Sequence, residues 1–237
     1  MPENLIRYSA YSYLQQWYRT DRVLMKALTS MLDGRVATQD LKELAAKYMV
    51  ARNFNSATLS ESEIAHRWSV VARHVAAAKR NANSAIDDRI HDLADKLGQV
   101  FPTSNGKAPP TLLSAASKFL WFSGLYDVRI YDKRAVNALH LLQKERAMKE
   151  GRRKWRVAGN YTDFARAWKV EYDARAEDIR AALGAIDEVL DWSIIPRGAD
   201  RVTAKGVVKK QWFRDRVFDK YLWTIGEDES SGLGSFS

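Results

Sequence analysis

Apolar residues recur every three or four positions along almost the whole chain, and this spacing constrains the fold more than any other feature of the sequence. Such spacing places apolar side chains on one face of an α-helix, whereas a half-buried strand alternates apolar and polar residues. No alternating run is long enough to predict a strand. The sequence therefore predicts an all-α fold.

The helical pattern is interrupted most clearly at residues 101–110, FPTSNGKAPP, where proline, glycine, serine and asparagine come together. These residues punctuate secondary structure, so the segment predicts a boundary. We expect an N-terminal helical lobe over residues 1–100 and a second helical lobe over residues 101–226. The last residues, 227–237, are acidic and rich in serine and glycine, which predicts a flexible tail.

Local signals predict where several helices begin and end. Ser60 and Glu63 have the spacing of a capping box, which predicts a helix start at this point. One helix is expected to end at Gly98, and the segment PRGADRVTAKG, residues 196–206, is expected to be a loop. The apolar side of residues 211–223 predicts a final helix that packs into the core.

Basic residues exceed acidic ones and are partly concentrated in two segments. The formal net charge is +9, and residues 144–156 hold seven basic residues against two acids. Residues 204–210 add three more lysines. Such clusters predict binding to a polyanion, with DNA as the expected partner, although a soluble protein with a basic surface fits the composition as well.

Several classes of function are excluded by composition. The chain has no cysteine, so it has no disulfide, no thiolate nucleophile and no iron–sulfur cluster. Its four histidines form no close ligand pair, and we expect neither a metal nor a cofactor. No signal-peptide pattern is present, and no run approaches the roughly 20 apolar residues of a membrane span. We expect a cytoplasmic protein without a membrane partner or an obligate protein partner.

Lys118 lies in a predicted helix that is otherwise apolar. Three or four positions away lie Ser114, Ala115, Trp121 and Phe122. Burial among such residues would lower the pKa of the lysine amine and make it a usable nucleophile. A lysine on an apolar helix also commonly extends its amine to water, and this alternative remains open.

Asp132 immediately precedes the next predicted helix. Aspartate is a favoured N-cap residue, since its carboxylate accepts hydrogen bonds from the first free amides of a helix. The same position suits a catalytic carboxylate, because those amides keep it ionised and fixed. The sequence is compatible with both roles.

Four segments together resemble the helix-hairpin-helix DNA glycosylase superfamily and its 8-oxoguanine glycosylase-like branch. They are SAASKFLWF, IYDKRAVNAL, YTDFARAW and RVFDKYLW, and the resemblance covers residues 109–226. They are similar in particular to a bacterial group of glycosylase-like proteins, some of which are implicated in defence against phages with modified DNA bases. The resemblance implies two helical lobes flanking a cleft.

The resemblance also implies roles for individual residues. Lys118 matches the lysine that attacks the sugar C1′ and forms a Schiff base, and Asp132 matches the aspartate that stabilises the cationic sugar and assists proton transfer. An enzyme of this kind flips its target base out of the stack. Trp121 and Tyr131, next to the two motifs, are candidates to line the base pocket, but each fits a core position as well. The residues expected to contact DNA phosphates are Lys133, Arg134, Arg152, Arg153, Lys154 and Arg156.

The leading hypothesis is thus a DNA glycosylase that excises a damaged or modified base, in repair or phage defence, either with or without a strand-nicking lyase activity. The first alternative is a non-catalytic DNA-binding protein on a glycosylase-like scaffold, because a fold does not establish a function. The second is a helical interaction protein whose basic charge is incidental. Base excision and salt-dependent DNA binding distinguish the three.

Overall fold

The computed structural model describes residues 2–29, 38–51, 54, 59–100, 110–151, 154–191 and 193–226. Every regular element in these ranges is a helix, and the ranges contain no β-strand. The predicted all-α fold is confirmed. None of the described helices combines the length and apolarity that a membrane span requires.

The chain forms its helices in the following order, with a π-helical segment at Trp17–Asp21 after the first. They are α1 (Pro2–Gln16), α2 (Arg22–Thr29), α3 (Thr38–Lys47), α4 (Glu61–Arg80), α5 (Ile86–Val100), α6 (Leu113–Phe122), α7 (Lys133–Glu150), α8 (Tyr161–Asp173), α9 (Ala176–Gly184), α10 (Ile186–Leu190), α11 (Ala199–Val207) and α12 (Gln211–Ile225).

The helices group into two compact units, which do not coincide with the predicted lobes. The central unit is Arg22–Tyr131, and the terminal unit is Met1–Asp21 together with Asp132–Ser237. Helix α1 packs against α9 and α12, so the N-terminal helix completes a core built from the C-terminal third of the chain. Helix α6 packs against α4 and α5, so it stays with the helices that precede it. The predicted boundary segment 101–109 and the predicted tail 227–237 lie outside the described residues.

The central unit is built around α6. Nine of the ten residues of this helix are buried, so it is enclosed on all sides rather than amphipathic. The ring of Phe119 lies 5.8 Å from that of Phe54 and 6.5 Å from that of Trp68. The predicted capping box is confirmed, since Ser60 and Glu63 bond each other's backbone amides at the start of α4. All side chains on α6 except that of Ser114, and including that of Lys118, are therefore buried in packed protein.

The terminal unit is organised by α12, which packs against α1, α7 and α9. Eight residues of α12 are buried, which confirms that this last helix is part of the core. Gly226, directly after α12, approaches the start of α7 so closely that an added Cβ would lie 1.9 Å from the carbonyl oxygen of Arg134. Only glycine allows this approach, which ties the end of α12 to the first turn of α7.

Two predicted helix boundaries are wrong. Helix α5 continues through Gly98 to Val100, because packing of the buried glycine offsets its weak helix propensity. Residues 196–206, predicted as a loop, contain most of α11, which begins after Gly198 at φ 96° and buries Ala204 completely. Proline and glycine in this segment mark the start of the helix rather than a loop.

Candidate functional site

Lys118 is buried in the central unit, with only 4% of its surface exposed. Its Nζ donates hydrogen bonds to Oγ of Ser114 at 2.9 Å and to the backbone oxygen of Tyr48 at 3.4 Å. The side chain of Lys118 is thus buried in this structure. The alternative, in which the amine reaches water along the helix surface, does not occur in this structure.

The backbone oxygen of Tyr48 can accept this hydrogen bond because of the way in which the chain turns at the C-terminal end of α3. Amides of Met49 and Val50 bond the carbonyls of Ala46 and Ala45, which is the hydrogen-bond pattern of a Schellman motif. Met49 takes the left-handed position of this motif, with φ 58°, where glycine is usual. A bulky residue in this conformation costs roughly 1–2 kcal/mol. The chain thus holds a strained turn beside the buried amine, an arrangement that is common at functional sites.

The residue that precedes Lys118 holds the backbone just before Asp132. Ser117 is completely buried, and its Oγ accepts a hydrogen bond from the amide of Tyr131 at 3.0 Å. Tyr131 is the last residue of the central unit. Helix α6 therefore supplies both the buried amine and the anchor for the loop that leads into α7.

Asp132 caps α7. Its backbone is extended, with φ −146° and ψ 148°, and its Oδ1 accepts from the amide of Arg134 at 3.0 Å. The prediction of an N-cap is confirmed. Its catalytic role remains a prediction, and Asp132 belongs to the terminal unit whereas Lys118 belongs to the central unit.

The two proposed base-pocket residues differ in environment. Trp121 is 1% exposed, and its ring packs edge to face against Phe122 at 4.8 Å and Tyr126 at 5.4 Å. The structure therefore places Trp121 in the core of the central unit, as the alternative interpretation expected. Tyr131 is half-buried, and its side chain remains a candidate for contact with a base.

The residues expected to contact DNA fall into three groups. Lys133, Lys154 and Arg156 are exposed. Arg134 is half-buried, and its guanidinium carbon lies 3.9 Å from the ring centroid of Trp223, in a cation–π contact. Arg152 and Arg153 lie outside the described residues.

Part of the basic segment 144–156 has a structural role that sequence reasoning missed. Arg146 donates through Nε and Nη2 to both carboxylate oxygens of Glu171, at 2.9 and 3.1 Å. Arg175 binds the same carboxylate at 2.8 Å. Glu171 is 2% exposed, so these bonds satisfy a buried charge, and they raise the pKa of Arg146. Arg146 is therefore committed to holding α7 against α8.

A second missed network joins two of the segments that carry the family resemblance. Nε1 of Trp168, in YTDFARAW, donates to Oδ1 of Asp219, in RVFDKYLW, at 2.7 Å. Arg216 bonds the other oxygen of Asp219 at 2.9 Å. The spacing of Arg216 and Asp219, three apart on one helix, is a signal that could have revealed this buried pair. These two segments are linked because they share a hydrogen bond in the core of the terminal unit.

Lys220 is another lysine in an unusual environment. Its Nζ lies 4.6 Å from the ring centroid of Trp223. Burial lowers the pKa of Lys220, the positive charges of Arg216 and Arg134 lower it further, and the carboxylate of Asp21 raises it. The terminal unit thus contains a lysine whose pKa is lowered, and Lys220 is therefore an alternative candidate for the nucleophile.

Among the described residues, no group of three or more histidine, aspartate and glutamate side chains is arranged to hold a metal ion. Comparison of the chain with models of protein families, with curated proteins and with solved structures found no match.

Proposed function

We propose that this protein is a DNA glycosylase that removes a damaged or modified base by attack of Lys118 on the sugar. One observation carries the proposal: the amine of Lys118 is buried on α6 and held in place by Oγ of Ser114. A lysine used only for solubility has no reason to be enclosed, because burying an amine costs free energy. Nucleophilic lysines are typically found in such desolvated positions.

The proposed reaction needs no cofactor. Nζ of Lys118, in its uncharged form, forms a bond to C1′ as the bond between C1′ and the base nitrogen breaks. The electron pair of that bond leaves with the base, which takes up a proton. The new amine loses a proton, and cleavage of the C1′–O4′ bond then gives a protonated Schiff base, with O4′ taking up a proton. The role that the family resemblance assigns to Asp132 is to stabilise the positive charge on the sugar and to carry protons.

The structure sets a condition on this reaction. Only 4% of Lys118 is exposed, so its amine can meet a sugar only after the surrounding side chains move. The strained turn at Met49, whose preceding carbonyl binds the amine, is the segment that we propose to move. Such a step would restrict attack to DNA that is already bound with its base flipped out.

The test is a panel of DNA duplexes that each contain one modified base, incubated with the full chain in the presence of borohydride. Borohydride reduces a Schiff base to a stable amine, so we expect a covalent protein–DNA adduct with at least one duplex. Lys118→Gln should abolish the adduct. Lys79→Gln is the matched control, since Lys79 lies in the same unit and also donates to a backbone oxygen, that of Thr29 at 3.0 Å.

Lys220→Gln completes the experiment. An adduct that disappears in this variant and persists in Lys118→Gln would assign the chemistry to the terminal unit and overturn the role of Lys118. Failure of every duplex to give free base or adduct would overturn the glycosylase proposal.

A second candidate function is DNA binding without catalysis, and one contact favours it. The amine of Lys118 binds the carbonyl at the C-terminal end of α3, which is a structural role for a lysine because that end of a helix carries partial negative charge. Four described residues of the basic segment remain exposed for phosphates: Lys144, Lys149, Lys154 and Arg156. Four phosphate contacts predict a slope of about −3.6 for log affinity against log salt. Binding with this slope and no excision would support this candidate, and a flat slope would exclude both DNA functions.

A further inference from the structure

A cavity of about 420 Å³ lies within the terminal unit, and none of its lining residues belongs to the candidate site described above. Helices α9, α10, α11 and α12 and the turn before α12 form its walls. The lining residues are Arg180, Leu183, Gly184, Ile186, Lys205, Val208, Lys209 and Arg214. The volume lies within the range of roughly 300–1,000 Å³ that is usual for small-molecule sites.

The lining of this cavity carries four cationic side chains and no acidic one. Arg180 also pairs with Glu177, and Lys205 acts electrostatically on Asp191. Lys209 and Arg214 make no ion pair with an acid in the part of the chain that the structure describes. Like charges that converge on a concave surface repel one another, and a bound anion offsets this repulsion.

The rest of the lining is apolar and open. Leu183, Ile186 and Val208 are each less than 10% exposed, so they form a packed apolar floor of the cavity. At Gly184, the last residue of α9, an added Cβ would meet nothing within 4 Å. The cavity therefore has open space at Gly184, into which an apolar group fits.

The fold creates this site from residues that sequence patterns do not connect. Arg180 lies on α9, whereas Lys205 lies on α11, the helix that the sequence predicted to be a loop. Arg214 lies in the first turn of α12, whose N-terminal amides add partial positive charge. Val208 and Lys209 lie in the short turn between these two helices, and all four cations line the same cavity.

We infer that this cavity binds an organic phosphate of nucleotide size. Arginine presents a planar fork that matches phosphate oxygens, and lysine adds point charge, so two of each suit a doubly charged phosphate or a diphosphate. The apolar floor suits the base of a nucleotide. The inference does not depend on Lys118 or Asp132, and it stands whether or not the chain excises bases. Free nucleotides and the terminal nucleotide of a DNA strand share this chemistry.

Titration calorimetry of the full chain with ADP, with adenosine and with inorganic pyrophosphate tests the inference. We expect ADP to bind at least about tenfold more tightly than adenosine, which lacks the charge, and more tightly than pyrophosphate, which lacks the base. The double variant Lys209→Gln/Arg214→Gln should weaken ADP binding by about tenfold or more. Lys26→Gln/Lys47→Gln, which removes the same charge from exposed positions in the central unit, should leave it unchanged.

Gly184→Leu provides an independent variant. Its side chain has room to enter the cavity and should weaken ADP binding while all four cations remain. Competition by a 5′-phosphorylated oligonucleotide, but not by the same strand without the phosphate, would identify a DNA end as the source of the phosphate. Equal affinity for ADP and adenosine, or equal loss in the cavity variant and the control variant, would overturn the inference.

Discussion

In the terminal unit the buried carboxylates of Glu171 and Asp219 bind arginine side chains, whereas in the central unit the buried amine of Lys118 binds a hydroxyl and a backbone carbonyl. The carboxylates gain opposite charges that compensate for their removal from water. The bonds of Lys118 to Ser114 and Tyr48 are to uncharged groups, which compensate less. The buried carboxylates of the terminal unit are held in ion pairs that stabilise the fold, whereas the buried amine of Lys118 is the group for which we propose a chemical role.

The largest effect is expected where the buried ion pairs are broken. Glu171→Ala leaves the guanidinium groups of Arg146 and Arg175 without their carboxylate, so the free energy of unfolding should fall by about 3–5 kcal/mol. Urea denaturation measures this change. Arg166→Ala breaks an exposed pair with Asp163 and should cost at most about 1 kcal/mol. Equal losses in the two variants would show that burial does not set the strength of these pairs.

The next effect separates the two roles of Asp132. Asparagine caps helices as well as aspartate does, and Asn160 already caps α8 by accepting from the amide of Asp163 at 3.0 Å. Asp132→Asn should therefore unfold at nearly the temperature of the wild type. If Asp132 is catalytic, excision should slow by about a hundredfold, because asparagine cannot accept a proton or stabilise a cationic sugar.

Asp132→Ala serves as the companion variant. It removes the cap as well as the charge, so it should lose roughly 0.5–2 kcal/mol of stability in addition to activity. Excision by Asp132→Asn at the wild-type rate would restrict Asp132 to capping.

A smaller effect on stability is expected when Lys118 itself is replaced. Lys118→Met removes an amine that is costly to bury but leaves the oxygens of Ser114 and Tyr48 without that donor. These terms oppose each other, so stability should change by no more than about 1 kcal/mol, as expected for exchange of a buried polar group for an apolar one. A loss comparable to that of Glu171→Ala would show that Lys118 is structural and would remove the contrast between the units.

The smallest effect concerns the pH dependence of stability at Lys220. Burial holds its pKa in the folded protein below its ordinary value of 10.5, so between these two values the unfolded chain binds more protons than the folded one. Stability should therefore rise with pH across this interval. The difference in unfolding free energy between wild type and Lys220→Met, measured from neutral to alkaline pH, should show this rise. Lys149→Met, at an exposed lysine, controls for the loss of one positive charge. If the unfolding free energies of both variants depend on pH in the same way, the prediction is contradicted.

Features that depend on neighbours within about one helical turn could be predicted from the sequence. The capping box of Ser60 and Glu63 and the cap at Asp132 are two such features, and both are confirmed. Helix α11 could not be predicted, because its local glycine and proline signals favoured a loop and its stability depends on burying Ala204.

For the candidate site, the sequence singled out Lys118 by its apolar neighbours but left its burial open. Lys118 is enclosed because other helices, among them α3, α4 and α5, pack against α6. These three helices come from earlier in the chain. The same holds for Trp121, whose place in the core depends on packing rather than on its position beside Lys118. The spacing of residues within one helix specifies which side chains share a face, but it does not specify what covers that face.

The sequence by itself determined the all-α class, the last core helix and the caps at Ser60 and Asp132, because these depend on periodicity and on hydrogen bonds between residues close in the chain. The tertiary structure decided that α1 joins the terminal unit, that Glu171 and Asp219 are paired, and that four cations surround one cavity. These outcomes depend on contacts between helices far apart in the chain. Such contacts depend on close packing between entire helix surfaces, and the identity of one residue determines only a small part of that packing.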